Sequence, residues 1–434
     1  MKIMILSLNH YVGGSEQHAI QLYKALTKYT KFKVRHVVLT LSGKPKKGAF
    51  KNKYMEYLPM SPKSKRFKDT SKEIAWADVV QLSDMGHWEI DRQWAKKYGM
   101  SDMPPYFELL SAAGEKNPKQ KVVGTWHSSP EYLEKNVYPY CRFLADCCDR
   151  MYAIRKNIAK RMDCKYLTHM IEPLICFPKL LRKKSRKNLA VSTSRCISVK
   201  GQMYIVRAAK KIKGHVLVAG AGNTRYTWQL KQELEKLKPD NIALAGEFKP
   251  SKLKHMLIPA KALFNLTKLE GDTGGTEYTI LEAIKYGVIP IVDNDWEMPY
   301  FTYNNVNRKD PKEIAKSVNR IFKGDYYEDV VKQNYNLLCK HYASSKVIKK
   351  YVSWYRGLFV KRKAVDLPTI VKHIKTKGNV KKTRLVLPID EFKKHYRKSK
   401  VVHIYYNGCK IRLKYFVING KMFIDAWETR KEKK

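Results

Sequence analysis

Residues 270–292 carry the clearest chemical pattern in the chain, EGDTGGTEYTILEAIKYGVIPIV, in which a glycine-rich stretch precedes a helical pattern and an apolar strand. Gly274, Gly275 and Thr276 let backbone N–H groups approach a diphosphate closely, because glycine has no side chain to hold it away. The first turn of the following helix adds the positive end of its dipole. Glu282 lies about one and a half turns further on, where it is suited to accept hydrogen bonds from ribose hydroxyls. The pattern therefore predicts a nucleotide-sugar site.

Two other strand-to-helix turns have residues suited to the same ligand. Gly13 and Gly14 lie between an apolar strand pattern and apolar residues at helical spacing. Arg195 and Lys200 follow a short apolar run, and two cations at such a turn suit a diphosphate leaving group. Taken alone, the glycines are better explained by packing, and the two cations are equally well explained as a solvated surface pair. Together and in this order, the three segments predict a nucleotide-sugar site.

Strand and helix patterns alternate along the chain and must hold these turns. In the first half, strands are predicted at residues 1–8, 34–41, 79–82, 121–125 and 151–154; in the second, at 190–193, 216–219, 242–245, 262–266 and 288–292. Such alternation predicts an α/β protein with two doubly wound halves and a ligand cleft at the carboxyl ends of the strands. A charged stretch at residues 178–187 is placed where a linker between the halves belongs.

Four motifs, GGSEQH, TSRCISVKG, VLVAGAG and EYTILEAIKYGVIPIV, resemble those of retaining glycosyltransferases of family 4, which have the GT-B fold. The resemblance covers about residues 1–360, and is greatest to the T-even phage enzymes that glycosylate 5-hydroxymethylcytosine in duplex DNA. It implies two Rossmann-like domains, a UDP-sugar donor and retention at the anomeric carbon. No metal is required if Arg195 and Lys200 stabilise the departing diphosphate. The expected domains are an acceptor-side domain (1–178), a nucleotide-sugar domain (179–346), a return helix (347–362) and a basic extension (363–434).

The chain departs from this family at two positions. The family's first acid precedes Glu282 by eight residues, and this position holds Gly274. Nearby acids that could replace it are Glu270, Asp272 and Glu277, of which Glu277 is included in the predicted binding set. His127 matches the family's sugar-contacting histidine, although a lone histidine beside a strand is often a core residue. Ser128 stands where the phage enzymes have an acid, so no catalytic base is carried over.

The net charge of +47, from 86 Lys and Arg against 39 Asp and Glu, predicts a polyanionic partner. A hydrophobic content of 44% predicts a globular chain rather than a disordered basic tail. No run of 18 apolar residues and no leader-like segment is present, which favours a cytoplasmic enzyme without stable membrane association. If the chain is phage-encoded, that compartment is the host cytoplasm.

After residue 363 the pattern changes to alternating apolar runs separated by Asn-Gly pairs at 407–408 and 419–420, which predict β-hairpins. The last 64 residues hold 19 Lys and Arg against 5 Asp and Glu. We expect this extension to bind the DNA backbone, with Lys410, Arg412 and Lys414 on one strand face as phosphate contacts. The alternative is an edge sheet whose lysines only prevent pairing with other chains.

Two other functions fit parts of the sequence. A family 4 enzyme that glycosylates a lipid-linked or cell-envelope polymer would meet anionic head groups with its basic residues. A non-catalytic DNA-binding protein on a transferase fold would explain the absence of an acid at position 274. The presence of Arg195, Lys200 and Glu282 favours an enzyme over this last alternative.

Overall fold

The computed structural model of the 434-residue chain describes residues 1–7, 14–40, 42–44, 54–60, 64–83, 105–126, 148–153, 167–170, 175, 186–268, 278–296, 300–359, 383–388, 401–406, 409–418 and 421–429. Two parallel sheets flanked by helices form the larger part of the molecule, and a separate antiparallel sheet follows them in sequence.

The first parallel sheet has seven strands: β1 (Lys2–Ser7), β2 (Lys33–Thr40), β3 (Glu56–Pro59), β4 (Val79–Leu82), β5 (Lys121–Trp126), β6 (Arg150–Ala153) and β7 (Leu167–Met170). Their order is β3-β2-β1-β4-β5-β6-β7. Helices α1 (Gly14–Tyr29), α2 (Phe67–Ala75) and α3 (Pro105–Lys116) connect successive strands. β1 is an apolar run of which residues 3–5 have no exposed surface, as expected for a strand covered on both faces.

The second parallel sheet has six strands: β8 (Leu189–Ser192), β9 (His215–Ala219), β10 (Ile242–Gly246), β11 (Ala262–Asn265), β12 (Ile289–Asp293) and β13 (Asn304–Val306). Their order is β10-β9-β8-β11-β12-β13. The helices of this half are α4 (Gln202–Ala208), α5 (Thr224–Leu237), α6 (Leu253–Leu257), α7 (Tyr278–Lys285), α8 (Pro311–Lys323) and α9 (Tyr327–His341). Buried clusters cover both faces of this sheet.

Local sequence sets the ends of several helices. α5 begins after Asn223, whose side chain accepts from the N–H groups of Arg225 and Tyr226. α8 begins after Asp310, whose side chain accepts from the Lys312 N–H, and ends at Gly324 with a φ of 91°. Both start signals satisfy N–H groups that have no partner within the helix.

Helix α10 (Ser344–Arg356) returns from the second half to the first. Val347, Tyr351 and Trp354 are buried in the cluster that holds Ile3 and Ile5 of β1. The return helix predicted within residues 347–362 is therefore present at Ser344–Arg356, with a final 3-10 turn at Gly357–Phe359, and its apolar face completes the core of the first sheet.

The C-terminal sheet is antiparallel and contains β14 (Thr383–Pro388), β15 (Val401–Tyr406), β16 (Cys409–Ile418) and β17 (Lys421–Thr429), in the order β14-β17-β16-β15. Tyr406 pairs with Cys409, and Ile418 pairs with Lys421. Each of these pairs closes a two-residue connection, so the two hairpins predicted at 407–408 and 419–420 are confirmed. Helix α3 of the first half lies against β16.

Every strand predicted in the two halves is present, with its ends within one residue of the prediction. The exact bounds of the domains stay a prediction. Arg186, which was predicted to belong to a charged linker, instead packs into the second half: its guanidinium donates to the carbonyls of Ile258, Ala260 and Tyr286. The rest of that stretch, residues 178–185, lies outside the described residues.

Candidate functional site

The turn between β8 and α4 holds Arg195 at the carboxyl edge of the second sheet. The side-chain amide of Gln202 donates to the Ser194 hydroxyl at 3.0 Å and to the Arg195 carbonyl at 2.8 Å. Gly220, which follows β9, passes so close that a Cβ there would lie 1.9 Å from the Ser194 carbonyl oxygen. The backbone of the turn is therefore fixed from both sides, while the Arg195 side chain is exposed.

Lys200 ends a 3-10 turn (Ser198–Lys200) in the same connection and is half-buried. Gly201 follows it with a φ of 75°, and a Cβ at this glycine would lie 2.6 Å from the Leu266 carbonyl oxygen. The Lys268 N–H donates to the Val199 carbonyl at 2.8 Å. These contacts hold the cationic turn against the segment that leaves β11 and leads into the glycine-rich residues.

Glu282 lies on α7, which begins directly after that glycine-rich segment. The carboxyl group is partly buried and, within the described residues, forms no hydrogen bond or ion pair. Burial raises the pKa of Glu282 to about 7, and the nearby charge of Lys285 acts in the opposite direction. An acid without a partner at this position has its acceptor oxygens available for a ligand.

Helix α1 of the first half begins at Gly14, next to the start of α7. Nδ1 of His18, one turn into α1, lies 2.9 Å from the hydroxyl of Tyr278, the first residue of α7. Gly14 itself is exposed, and a Cβ there would meet no atom within 4 Å. The two helices therefore bring their N-terminal ends, with their positive partial charges, to one region between the sheets.

His18 is the centre of a buried hydrogen-bonded cluster. Its Nε2 atom lies 2.9 Å from the Tyr351 hydroxyl and 3.2 Å from the Tyr152 hydroxyl, and Tyr351 donates to Tyr152 at 2.6 Å. His18 is 1% exposed and Tyr278 7% exposed. Burial lowers the pKa of His18 to about 3, so the ring is neutral at neutral pH.

Two polar groups at the end of the second sheet are buried without a partner in the described part of the chain: the Asn265 side-chain nitrogen and the Thr193 hydroxyl. Asn265 ends β11, and Thr193 follows β8, its neighbour in the sheet. Their positions next to the Arg195 turn make them further candidates for contact with a ligand.

The structure therefore places Arg195 and Lys200 in one turn at the carboxyl edge of the second sheet and Glu282 on α7. Gly14 begins α1, which the His18–Tyr278 contact joins to the start of α7. The remaining predicted site residues lie outside the described residues: Gly13, His127, Gly274, Gly275, Thr276 and Glu277. Their assignment stays a prediction from the sequence.

Sequence reasoning missed the roles of His18 and Tyr278. Both lie inside motifs that were singled out, GGSEQH and EYTILEA, but each occupies a position where a helix normally presents an apolar residue to the core. The sequence signal that could have identified them is a polar aromatic residue at a helix position that normally faces the core. The pairing itself joins residues 260 apart and has no local signature.

In the described parts of the chain, no helix has the length and apolar character needed to cross a membrane. The same residues contain no group of three or more His, Cys, Asp or Glu side chains arranged to hold a metal ion. The metal requirement stays a prediction.

Solved structures with a similar fold include three that are distant in sequence. HepE from Anabaena, in complex with UDP and glucose, is 10% identical with a TM-score of 0.63, covering 82% of this chain and 100% of its own. An alpha-glucosyltransferase in complex with UDP and a 13-mer DNA containing an HMU base is 14% identical with a TM-score of 0.60, covering 82% and 99%. Sucrose-phosphate synthase from Thermosynechococcus elongatus is 13% identical with a TM-score of 0.58, covering 83% and 99%.

No protein-family model matches the chain, and no curated protein matches it in sequence. The structural likeness establishes the architecture: this is the GT-B fold of glycosyltransferases, with two parallel-sheet domains around a cleft. The solved structures are matched over almost their full length, and residues 1–359 alone would account for the covered share of this chain.

Proposed function

We propose that the protein is a retaining glycosyltransferase of the family 4 type that uses a UDP-sugar as donor. The observation that carries the proposal is that the His18–Tyr278 bond joins the first turns of α1 and α7. The turn with Arg195 and Lys200 contacts Leu266 and Lys268, which lead along the chain towards the start of α7. Oriented N–H groups and cations around one point suit a diphosphate. Two of the three solved structures described above hold UDP, which supports this choice of nucleotide.

Each group of residues has a distinct task in this proposal. Arg195, Lys200 and the N–H groups near Gly14 and residues 274–276 bind the diphosphate, and Glu282 accepts from the ribose hydroxyls. His127 contacts the sugar, as the sequence resemblance implies. Arg195, Lys200 and the N–H groups stabilise the negative charge that grows on the leaving phosphate, and such electrostatic stabilisation is often the largest single contribution to catalysis.

The reaction exchanges one bond for another at the anomeric carbon. The bond from that carbon to the diphosphate oxygen breaks, and a bond to the acceptor hydroxyl oxygen forms on the same face of the sugar. The acceptor proton passes to the departing diphosphate. Because the leaving group takes this proton, the absence of an acid at Ser128 is compatible with turnover.

We propose that the acceptor is a hydroxymethylated pyrimidine, of the 5-hydroxymethylcytosine type, in phage DNA within the host cytoplasm. The net charge of +47 supports a polyanionic acceptor. One similar structure contains DNA with a modified base. Extruding a base from a duplex costs a few kcal/mol, and many phosphate contacts provide a source for that energy.

The C-terminal sheet is the proposed DNA-binding module. Lys410, Arg412 and Lys414 stand at alternate positions of β16 and therefore belong to one face of the sheet. The register sets Arg412 opposite Trp427 on one side and His403 on the other. A face that combines basic with aromatic residues is typical of nucleic-acid binding.

The donor and the acceptor are tested together by incubating the protein with several UDP-sugars and with matched duplexes that contain 5-hydroxymethylcytosine, 5-hydroxymethyluracil or cytosine. We expect UDP release above background only with a hydroxymethylated duplex, and a nucleoside heavier by one glycosyl residue on mass analysis. Release only with a lipid-linked acceptor would contradict the DNA acceptor. DNA binding without release under any donor would contradict the enzyme assignment.

The module is tested by replacing Lys410, Arg412 and Lys414 with Ala. If these residues contact phosphates, the slope of log affinity against log salt falls by up to about 3, as measured by fluorescence anisotropy with duplex DNA. The matched control replaces three exposed lysines of the second half with Ala: Lys231, Lys236 and Lys254. An equal change in both variants would show that the module has no special role.

A further inference from the structure

The hydroxyl of Tyr278 is bonded outside its own half of the molecule. Tyr278 begins α7 of the second half, and its hydroxyl bonds to His18 of α1 in the first half. Ile280, Leu281 and Ile284 of the same helix pack within the core of the second half. The first residue of α7 is therefore attached across the cleft, while the rest of the helix stays with its own sheet.

His18 offers a fixed partner because both of its ring nitrogens are engaged. In the tautomer with the proton on Nε2, that N–H donates to Tyr351 and the Tyr278 hydroxyl donates to Nδ1. Tyr351 in turn donates to Tyr152. With the ring neutral and buried, this directional pattern is maintained across the working pH range.

Further buried bonds attach this cluster to the first sheet. The Gln81 amide nitrogen donates to the Thr125 hydroxyl at 2.9 Å, and the Tyr355 hydroxyl donates to the Gln81 carbonyl oxygen at 2.9 Å. Thr125 also has a side-chain hydrogen bond with Tyr152. The position of His18 is thus set by strands β4, β5 and β6 and by helix α10, so it transmits the geometry of the first half to α7.

The position of Tyr278 makes this attachment relevant to the donor. The residue follows directly after the glycine-rich segment, and Glu282 lies one turn further along the same helix. Any displacement at the start of α7 moves both groups. Side chains that fix such a start affect ligand affinity without touching the ligand.

We propose that His18 and Tyr278 are positioning residues whose bond holds the start of α7, and with it the donor-binding groups, in register with the first half. This inference rests on the proposed function for its consequence on donor binding, but the attachment itself is a property of the free protein. Binding of UDP then depends on a contact between two residues that do not themselves touch the nucleotide.

The test uses Tyr278→Phe, which removes only the hydroxyl, and Tyr327→Phe as the matched control. Tyr327 is also buried, and its hydroxyl donates to the Gly287 carbonyl just beyond the other end of α7. We expect Tyr278→Phe to speed hydrogen exchange in the first half of α7 in the free protein and to weaken UDP binding by about threefold to tenfold. Tyr327→Phe leaves UDP affinity within about twofold.

A second variant pair separates positioning from general damage. The Gln side chain of His18→Gln keeps one hydrogen-bond donor and one acceptor, whereas His18→Leu keeps neither. The KM for the UDP-sugar should therefore rise less in His18→Gln than in His18→Leu. In both variants kcat should change less than KM. Unchanged α7 exchange in Tyr278→Phe, or an equal loss of UDP affinity in Tyr278→Phe and Tyr327→Phe, would overturn the proposal. If the wild-type protein bound no UDP, the proposed function would be wrong. The hydrogen-exchange measurement would then decide by itself whether the His18–Tyr278 bond holds the start of α7.

Discussion

The polar side chains at the edges of the two parallel sheets differ in how they are used. At the first sheet, the Ser7 hydroxyl lies 3.0 Å from Nε2 of His36 and 2.8 Å from the Ser83 hydroxyl, and all three side chains are buried. At the second sheet, Arg195 is exposed and Glu282 has no hydrogen-bond partner in the described residues. The polar side chains of the first edge are bonded to one another, whereas the Glu282 carboxyl group of the second half has acceptor oxygens available for a ligand.

The largest expected difference between the edges is in catalysis. Replacing Arg195 with Ala should lower turnover by about 10² or more, because a charge that stabilises the leaving diphosphate is lost. Steady-state UDP release measures this effect. The matched control is Arg207→Ala, which removes a surface ion pair with Glu233 and should leave turnover within about twofold. Wild-type turnover in the Arg195 variant would show that the assignment is wrong.

The next largest effect is expected on the affinity for UDP. Glu282→Gln should weaken UDP binding by about tenfold, because hydrogen bonds to an ionised carboxylate are lost. Hydrogen bonds from ribose hydroxyls are stronger to an ionised carboxylate, and the pKa of Glu282 is about 7, so wild-type affinity should strengthen as pH rises through 7.

Isothermal titration calorimetry with UDP between pH 6 and 8 measures this dependence. Protonation of UDP itself affects the wild-type protein and Glu282→Gln equally, so the difference between them reports on Glu282. Glu233→Gln is the control on an acid away from the site. Equal pH profiles for the wild-type protein and Glu282→Gln would contradict the role of Glu282.

The two edges should also change stability with pH in opposite directions. Burial lowers the pKa of His36 to about 4, so the unfolded chain binds a proton below about pH 6.5 that the folded protein does not, and the free energy of unfolding falls in acid. Burial raises the pKa of Glu282, so between about pH 7 and 4.5 the folded protein takes up a proton first, and its stability rises.

Denaturant unfolding at pH 7.5 and 5 measures both effects, each on the order of 1–2 kcal/mol. His36→Gln should reduce the loss of stability in acid, and Glu282→Gln should increase it. A change of the same sign in both variants would contradict the assigned protonation states.

The smallest effect concerns the first edge alone. Ser83→Ala removes one buried hydroxyl from the Ser7 contact and should lower the free energy of unfolding by about 1 kcal/mol. UDP affinity should not change, because Ser83 is bonded to Ser7 and is not one of the proposed donor contacts. A clear loss of UDP affinity with unchanged stability would move Ser83 into the binding site.

The sequence predicts the interior strands because they are short apolar runs bounded by turn residues. Three strands are not predicted by the sequence pattern, and each is the outermost strand at one side of its sheet: Glu56–Pro59, Leu167–Met170 and Asn304–Val306. An edge strand pairs on one side only and needs less apolar sequence, which explains why periodicity alone does not find it.

The candidate site was predictable where its chemistry is local. Arg195 and Lys200 share one turn, and Glu282 follows its glycine-rich stretch directly, so spacing along the chain carries the information. The contact between His18 and Tyr278 depends on how the two sheets are arranged, and no period within a single segment encodes it.

The central claim is that a diphosphate lies between the N-termini of α1 and α7. A crystal structure of the protein soaked with a UDP-sugar tests it most directly. The account predicts the diphosphate within hydrogen-bonding distance of Arg195 and Lys200, with the ribose hydroxyls on Glu282. A nucleotide bound elsewhere, or a cleft closed by side chains under saturating donor, would contradict it.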